Sequence, residues 1–288
     1  MARPNYIFLQ PESLPEALHV LSEHGDEAKV LAGGTALVLL LQQGLITPTA
    51  LLNISQVPNL NYIQLRPNGI HVGPLTTLRD IERSSIVQDN LPLLAHACGE
   101  VGNVRVRNQA TLGGNIAEAD YASDPPTALL ALEAQITARS SNGSRTIPFE
   151  EFLLGFYSTC LEPVELITDI HIPLYNENSK TTYRKFKSRS SEDRPCAGVA
   201  AIASFDNGIC TDLRLSVGAA CEVPRRLRDA ERLALHQVWT HDLILEIANT
   251  YADGIETLDD ARGSAWYRTE MIRVQVQRAL EVIRNDNR

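Results

Sequence analysis

Two short glycine-rich segments carry the residue types best suited to hold a phosphorylated ligand. The first glycine loop reads Ala-Gly-Gly-Thr-Ala over 32–36, and the second glycine loop reads Thr-Leu-Gly-Gly-Asn over 111–115. Glycine has no Cβ, so the backbone N–H groups of such loops are unshielded and can bind phosphate oxygens. Either Gly-Gly pair alone is more typical of a tight turn. Together they favour a ligand with two phosphates, such as a dinucleotide.

The composition is that of an ordinary globular protein, and it argues against several kinds of partner. The chain has 288 residues, of which 44% are hydrophobic and 21% charged, and its net charge is -9. This length favours two domains, and the acidic balance argues against nucleic acid, which needs a basic surface. The longest apolar run, 36–41, is far shorter than the ~20 residues of a membrane span. The first residues lack a signal-peptide core, so we expect a cytoplasmic protein.

The cysteines and histidines do not predict a metal or iron–sulfur site in this chain. No pair of cysteines has the C-x-x-C spacing, and an iron–sulfur cluster normally needs four thiolates with some close spacings. An odd number of cysteines in a cytoplasmic chain indicates reduced, mostly buried thiols. The five cysteines are Cys98, Cys160, Cys196, Cys210 and Cys221.

The elements around the loops follow from hydrophobic patterning. A short strand over 28–31 leads into the first glycine loop, a helix over 35–43 follows it, and 51–54 is a further strand. Three hairpins are predicted: one across 62–72, one around Asn142-Gly143 and one with Asn207-Gly208 as its turn. The polar segment 176–180 is the predicted domain boundary. Beyond it we expect three strands, over 183–187, 198–205 and 213–217, and an amphipathic helix over 265–284.

The chain resembles a known family on several separated strings. They are the first glycine loop, the run 107–117 around the second glycine loop, Ser-Asp-Pro-Pro over 123–126, Asp-Ala-Arg-Gly-Ser-Ala-Trp-Tyr-Arg over 260–268, and the segment 274–280. These strings are similar to the FAD-binding medium subunits of the molybdenum hydroxylases, a family that includes xanthine dehydrogenase and carbon monoxide dehydrogenase. The similarity covers almost the whole chain.

The resemblance implies an α+β fold with two domains. Residues 1–175 would form a two-lobed FAD-binding domain of the vanillyl-alcohol-oxidase/PCMH type, with lobes of about 1–57 and 58–175. Residues 181–288 would form a C-terminal domain of the CO dehydrogenase flavoprotein type, in which a three-stranded antiparallel sheet carries a helical bundle.

The resemblance also implies which residues would contact FAD. The first loop and its flank would wrap the pyrophosphate, the second would contact phosphate and flavin-side oxygens, Val101 would lie near the adenine, and Ile167 (or Thr168) would offer backbone contacts to the flavin ring. The residues implied are Leu31, Ala32, Gly33, Gly34, Thr35, Ala36, Val101, Thr111, Gly114, Asn115, Ala117, Asp124, Ile167 and Lys185. No catalytic residue and no metal ligand is expected in this chain.

Two of these residues have competing interpretations. By resemblance, Asp124 accepts hydrogen bonds from the adenosine ribose, but an Asp before Pro-Pro is also a good helix N-cap. By resemblance, Lys185 reaches the isoalloxazine ring, where its charge would favour the reduced flavin. An ordinary solvent-exposed strand lysine is the alternative.

The function implied is electron transfer. A molybdopterin-binding large subunit would act on the organic substrate, and a small subunit with two two-iron two-sulfur clusters would pass electrons to FAD in this chain for delivery to a final acceptor. The assembly would be a dimer of heterotrimers. Two alternatives remain open: a free-standing flavin oxidase of the vanillyl-alcohol type, disfavoured because neither loop has an adjacent Cys or His for covalent attachment, and a non-catalytic dinucleotide-binding protein.

Overall fold

The computed structural model describes residues 6–190 and 192–287, and across these residues it is a mixed helix and strand fold. The strands are β1 (Ile7–Leu9), β2 (Ala28–Leu31), β3 (Ala50–Asn53), β4 (Ile63–Arg66), β5 (Gly69–Val72), β6 (Gln135–Ser140), β7 (Gly143–Pro148), β8 (Leu153–Gly155), β9 (Ser158–Thr159), β10 (Leu166–Ile172), β11 (Lys180–Phe186), β12 (Ala197–Asp206), β13 (Ile209–Gly218) and β14 (Arg225–Arg226). The α-helices are α1 (Leu14–His24), α2 (Leu37–Gln42), α3 (Leu78–Arg83), α4 (Ser85–Asn90), α5 (Pro92–Gly99), α6 (Val104–Arg107), α7 (Leu112–Glu118), α8 (Pro125–Ala131), α9 (Phe149–Phe152), α10 (Arg228–Ala234), α11 (His241–Gly254) and α12 (Ala265–Asp286).

The first sheet is small and parallel, in the order β1-β3-β2. Ser13 is the N-cap of helix α1, and its side chain accepts a hydrogen bond from the Glu16 N–H. The helix contributes Leu18 and Leu21 to the core of this part. Strand β2 has the bounds that the sequence predicts and leads directly into the first glycine loop. The helix predicted after that loop is α2, and none of its residues is buried.

The second sheet is antiparallel, in the order β4-β5-β10-β6-β7. Two of the three predicted hairpins lie in this sheet, as β4–β5 and β6–β7. Strand β10 lies at the centre because it pairs with β5 on one side and β6 on the other. Residues of helices α3 to α5, α7 and α8 join this sheet in the largest hydrophobic core.

The third sheet forms the C-terminal part, in the antiparallel order β11-β12-β13-β14. The three long strands are those predicted, and the fourth has only two residues, too few to produce a recognisable pattern. Helix α12 lies against β11 and β12, and α11 packs on α12. The predicted apolar stripe of α12, which includes Ile272 and Leu280, is fully buried.

Helices α5 and α8 of the N-terminal part lie against β11, β12 and β13 of the C-terminal part; this contact is called the domain seam below. Gly198 and Gly218 are cross-strand neighbours on β12 and β13. A Cβ on Gly218 would lie 2.1 Å from the Thr127 Oγ1 of α8, so the helix packs directly on glycine backbone. Tyr183 of β11 is part of the same core as the second sheet.

The described residues include neither a membrane-spanning helix nor a metal-binding cluster of side chains. No helix within 6–190 or 192–287 combines the length and apolarity needed to cross a membrane. In the same ranges, no group of three or more His, Cys, Asp or Glu residues is placed to hold a metal ion. All five cysteines are free thiols; Cys160 is half-buried and the other four are buried.

Candidate cofactor-binding site

The first glycine loop presents unused backbone donors. Within the part of the chain that the structure describes, the N–H groups of Gly33, Gly34, Thr35 and Ala36 make no hydrogen bond to another backbone group. Gly34 has φ of 72°, a left-handed conformation that places successive N–H groups on one side of the loop. These residues are only partly buried. The loop therefore offers a set of donors suited to an anion.

The two glycine loops lie against each other. A Cβ on Gly33 would be 1.9 Å from the Gln109 carbonyl oxygen, so the backbone of the first loop touches the segment that leads into the second. A Cβ on Gly114 would be 3.7 Å from the Ala32 Cβ. Residues that lie far apart in the sequence thus form one cradle, bounded by backbone on both sides.

The second glycine loop differs from the expected nest of free N–H groups. The N–H of Leu112 donates to Thr76 O, that of Gly113 to Pro74 O, and that of Gly114 to the Thr111 hydroxyl. These donors are used because the loop pairs with the chain before α3 and then begins α7, with Thr111 as its N-cap. The prediction of a second set of bare backbone donors is therefore wrong.

Side chains replace those donors in the second loop. The Thr111 hydroxyl accepts the Gly114 N–H at 3.1 Å and keeps its own hydrogen to donate. The Asn115 Oδ1 accepts the Ser123 hydroxyl at 2.9 Å, which fixes the side chain and leaves its NH₂ group as a donor. Ala117 is exposed on the same short helix. The cradle thus combines backbone donors from one loop with side-chain donors from the other.

A buried ion pair crosses the domain seam beside this cradle. The Lys185 Nζ lies 2.8 Å from the Asp124 Oδ2 and 2.7 Å from the Glu100 carbonyl oxygen. The Tyr183 hydroxyl donates to the Asp124 Oδ1 at 2.7 Å. The side chains of Lys185 and Asp124 are only 2% and 3% exposed. Asp124 directly follows Ser123, so the contact between Ser123 and Asn115 joins this pair to the second loop.

The protonation of this cluster reflects burial and neighbouring charge. Burial raises the pKa of Asp124, and the Lys185 ammonium and the Tyr183 hydroxyl oppose that rise. Burial and the adjacent carboxylate raise the pKa of Tyr183 well above its ordinary value, so its hydroxyl stays a donor. Burial also acts to raise the pKa of Glu100, but the hydrogen bond and charge of Lys187 outweigh it and lower the pKa.

The structure excludes both ordinary interpretations of these residues. Asp124 stands at the N-cap position of α8, but its side chain makes no capping hydrogen bond. Instead, its two carboxylate oxygens accept hydrogen bonds from Tyr183 and Lys185, both on β11. Lys185 is a strand residue, as predicted, but it is not an exposed one. The alternative interpretations, in which the Asp124 side chain is an N-cap and Lys185 is a solvent-exposed strand residue, are wrong.

The cluster also constrains the assignments taken from the resemblance. Those assignments place Val101 near the adenine, Asp124 at the ribose and Lys185 at the isoalloxazine ring. The structure brings all three to one place, since Lys185 contacts both Asp124 and the carbonyl of Glu100, the neighbour of Val101. The assignments from the resemblance therefore put the adenosine end and the flavin end of the cofactor at one location.

Ile167 lies apart from these contacts. It is 6% exposed, its side chain belongs to the core of the second sheet, and its backbone pairs with Ala138 of β6. The ladder is irregular directly after it, between Ile167 and Asp169.

Sequence reasoning missed three residues that shape the site. Gln109 supports the first loop through its carbonyl group, which no side-chain pattern reveals. Ser123 orients Asn115, and Tyr183 holds Asp124. Tyr183 could have been found, because residues two apart on a strand share a face and Tyr183 stands two before Lys185.

Comparisons with known proteins agree with the fold along the whole chain. Residues 4–175 match the FAD binding domain in molybdopterin dehydrogenase, and residues 181–283 match the CO dehydrogenase flavoprotein C-terminal domain. The glyceraldehyde dehydrogenase medium chain of Sulfolobus acidocaldarius is 34% identical over 98% of this chain and 100% of its own length. The carbon monoxide dehydrogenase medium chain of Hydrogenophaga pseudoflava is 31% identical over 97% of each chain.

Solved structures give the same result. A chain of carbon monoxide dehydrogenase from Hydrogenophaga pseudoflava matches with a TM-score of 0.95 and 32% identity over 98% of both chains. A chain of quinoline 2-oxidoreductase from Pseudomonas putida 86 matches with a TM-score of 0.93 and 27% identity over 99% of both. The predicted fold class is confirmed. The chain is an oxidoreductase subunit that belongs to the FAD-binding medium subunits of the molybdenum hydroxylase family.

Proposed function

We propose that this chain carries electrons within a molybdenum hydroxylase complex, receiving them from iron–sulfur clusters of a partner subunit and passing them to a final acceptor. The proposal rests on family membership and, in this chain, on the convergence of the two glycine loops. FAD supplies the redox chemistry when bound, and the residues of this chain bind, orient and tune it.

The first glycine loop fits a pyrophosphate. Its four unused N–H groups donate to phosphate oxygens, and the absence of side chains at Gly33 and Gly34 lets the backbone approach closely. Thr111 and Asn115 add side-chain donors from the opposite wall. We assign the flanking residues Leu31, Ala32 and Ala117 to the surface that contacts the cofactor around this cradle.

The isoalloxazine end of the cofactor is assigned to the domain seam. Both Asp124 oxygens already accept hydrogen bonds, so Asp124 is a poor partner for ribose hydroxyls. Lys185 is different, because an ammonium has three N–H donors and only two are used by described residues. Its positive charge would favour the negative charge that reduction brings to the flavin and thereby raise the flavin potential.

The partners proposed are a molybdopterin-binding large subunit and a small subunit with two two-iron two-sulfur clusters, assembled as a dimer of heterotrimers in the cytoplasm. Relatives support this assignment by their names, which include a medium chain of carbon monoxide dehydrogenase and a subunit of a 6-hydroxypseudooxynicotine dehydrogenase complex. The division of the chain near residue 175 is consistent with the ranges of the two matching families.

The test is purification of the tagged chain from its own cells, with absorption spectroscopy and metal analysis of the product. We expect a flavin spectrum with extractable FAD, and molybdenum and iron that co-elute at roughly four irons per flavin, the content of two binuclear clusters. Rapid mixing with an organic substrate of the complex should bleach the flavin band. A flavin-containing chain that elutes without molybdenum or iron would leave FAD binding intact and reject the electron-transfer role.

A further inference from the structure

Tyr183 occupies a position that the family resemblance does not explain. Its side chain extends from β11 across the domain seam, and its hydroxyl donates to the Asp124 Oδ1 at 2.7 Å. The residue is 4% exposed, and a Cβ on Gly198 would lie 3.0 Å from that hydroxyl. The tyrosine is thus confined on one side by glycine backbone and on the other by a carboxylate.

The Asp124 carboxylate links Tyr183 to Lys185. One oxygen accepts the tyrosine hydroxyl and the other accepts the Lys185 ammonium. A buried carboxylate stays ionised only when donors compensate for lost water, and here those donors come from one strand of the other domain. Removing either donor leaves the Asp124 carboxylate with too few hydrogen bonds to stay ionised, and this weakens its interaction with the remaining donor.

We propose that Tyr183 is a positioning residue for the cofactor site: its hydroxyl fixes the Asp124 carboxylate, which in turn holds the Lys185 ammonium with one N–H left for the flavin. This inference rests on the proposed function, since it assigns that N–H to FAD. Asp124 then acts on the cofactor through Lys185 rather than by contact with the ribose.

The protonation behaviour of Asp124 supports this arrangement. Burial raises the pKa of Asp124, and the Tyr183 hydroxyl is one of the groups that oppose the rise. Without the hydroxyl, the pKa of Asp124 rises further, and a neutral Asp124 no longer attracts the ammonium. Glu100 also faces Lys185, but it contributes its carbonyl oxygen, while its carboxylate pairs with Lys187.

The chain offers an unusually clean way to observe Lys185. It has four lysines, Lys29, Lys180, Lys185 and Lys187. Lys29 is exposed and Lys180 is half-buried, whereas the Lys185 side chain is 2% exposed. Acylation with acetic anhydride, followed by mass spectrometry of the peptides, therefore measures the accessibility of Lys185 against reference lysines in the same molecule.

The experiment compares Tyr183→Phe with Tyr251→Phe in the full chain. Tyr251 is the control, because its buried hydroxyl donates to Leu215 O at 2.6 Å within the C-terminal core and contacts no residue assigned to FAD. In Tyr183→Phe we expect Lys185 to be acylated about tenfold faster, with Lys29 and Lys180 unchanged. The FAD dissociation constant should rise about tenfold, as for a lost hydrogen bond to a charged group, and the flavin potential should fall, because the Lys185 charge is no longer held in place. Tyr251→Phe should change none of these.

Each outcome decides between the two proposals. If Lys185 acylation, FAD affinity and flavin potential in Tyr183→Phe all equal those of the unaltered chain, the positioning role is wrong. Faster acylation with unchanged FAD affinity and potential would make Tyr183 a structural residue only and also reject it. If the unaltered chain binds no FAD, the proposed function fails, while acylation still reports whether Tyr183 holds Lys185. Asp124→Asn serves as a second variant should Tyr183→Phe not fold, with the same expectations.

Discussion

Gly33 faces the carbonyl oxygen of Gln109 so closely that no side chain fits between them: a Cβ at position 33 would lie 1.9 Å from that oxygen. The contact holds the first glycine loop against the segment that leads into the second. Because the obstructing atom belongs to the backbone, it cannot rotate away as a side chain could. The two loops must separate for any other residue to be accommodated.

Gly33→Ala should therefore abolish FAD retention and lower the free energy of unfolding by about 3 kcal/mol, the upper range for overpacking. Flavin absorbance of the purified chain and urea unfolding measure the two effects. Gly44→Ala is the control, because Gly44 has φ of 67° and nothing within 4 Å of a Cβ. That variant should lose about 1–2 kcal/mol from its left-handed backbone yet retain FAD. Full FAD occupancy in Gly33→Ala would contradict the assignment of the cradle.

Thr111 has two roles that substitution can separate. Its hydroxyl caps α7 and, in the proposal, also donates to a phosphate oxygen. Thr111→Val should weaken FAD binding about tenfold and cost about 1 kcal/mol of cap stability, whereas Thr111→Ser keeps the hydroxyl and should bind nearly as well as the unaltered chain. Fluorescence titration with FAD gives the affinities.

A second cap outside the site controls for the loss of stability. Thr240 caps α11 in the same way, accepting the Leu243 N–H at 3.1 Å. Thr240→Val should lose similar stability without any change in FAD affinity. Equal weakening of FAD binding in Thr240→Val and Thr111→Val would show that the Thr111 hydroxyl has no contact with the cofactor.

The ion pair between Lys185 and Asp124 should behave as a coupled unit in the cofactor-free chain. Lys185→Met or Asp124→Leu alone leaves a buried charge without its partner and should cost about 3–5 kcal/mol of unfolding free energy. The double variant removes both charges and should cost clearly less than the sum of the two. Urea unfolding of the four proteins completes the cycle. Costs that add to within about 0.5 kcal/mol would mean that the contact is energetically unimportant.

Asp260 should make stability depend on pH in acid. Although burial opposes them, hydrogen bonds from Tyr121, the Arg262 N–H and Arg268 hold the pKa of Asp260 well below its ordinary 3.8. A carboxylate with a depressed pKa stabilises the folded state above the unfolded-state pKa and loses that effect as the pH falls toward the folded-state value. The difference in Tm between the unaltered chain and Asp260→Asn should be constant above about pH 5 and shrink below about pH 4. A difference that stays constant down to pH 2 would contradict this.

Local patterns predict much of this fold, because hydrophobic periodicity is a property of consecutive residues. Strand β2, the hairpin of β12 and β13 around Asn207 and the apolar stripe of α12 all follow from such patterns. Contacts between distant segments do not. The sequence of the second glycine loop predicts free N–H donors, but the N–H of Gly113 donates to Pro74 O, which no local pattern places nearby.

For the candidate site too, the sequence identifies residues but not the contacts between them. The resemblance identifies Asp124 and Lys185 as residues of interest, yet it assigns them to different ends of a cofactor. Only the folded chain shows that they touch and that Tyr183 completes the group. Their roles depend on one another, and a residue-by-residue transfer treats each position alone.

The paired glycines of β12 and β13 have a consequence for how this chain can diverge or be recombined. Gly198 and Gly218 lie opposite each other, and the space of their absent side chains is filled by Tyr183 and Thr127. Thr127 belongs to the first half of the chain and Tyr183 to the second, so only the position of Gly218 must match across the junction. A chimera that joins residues 1–175 of this chain to the second half of a relative should therefore assemble only where that relative also has glycine at the position of Gly218.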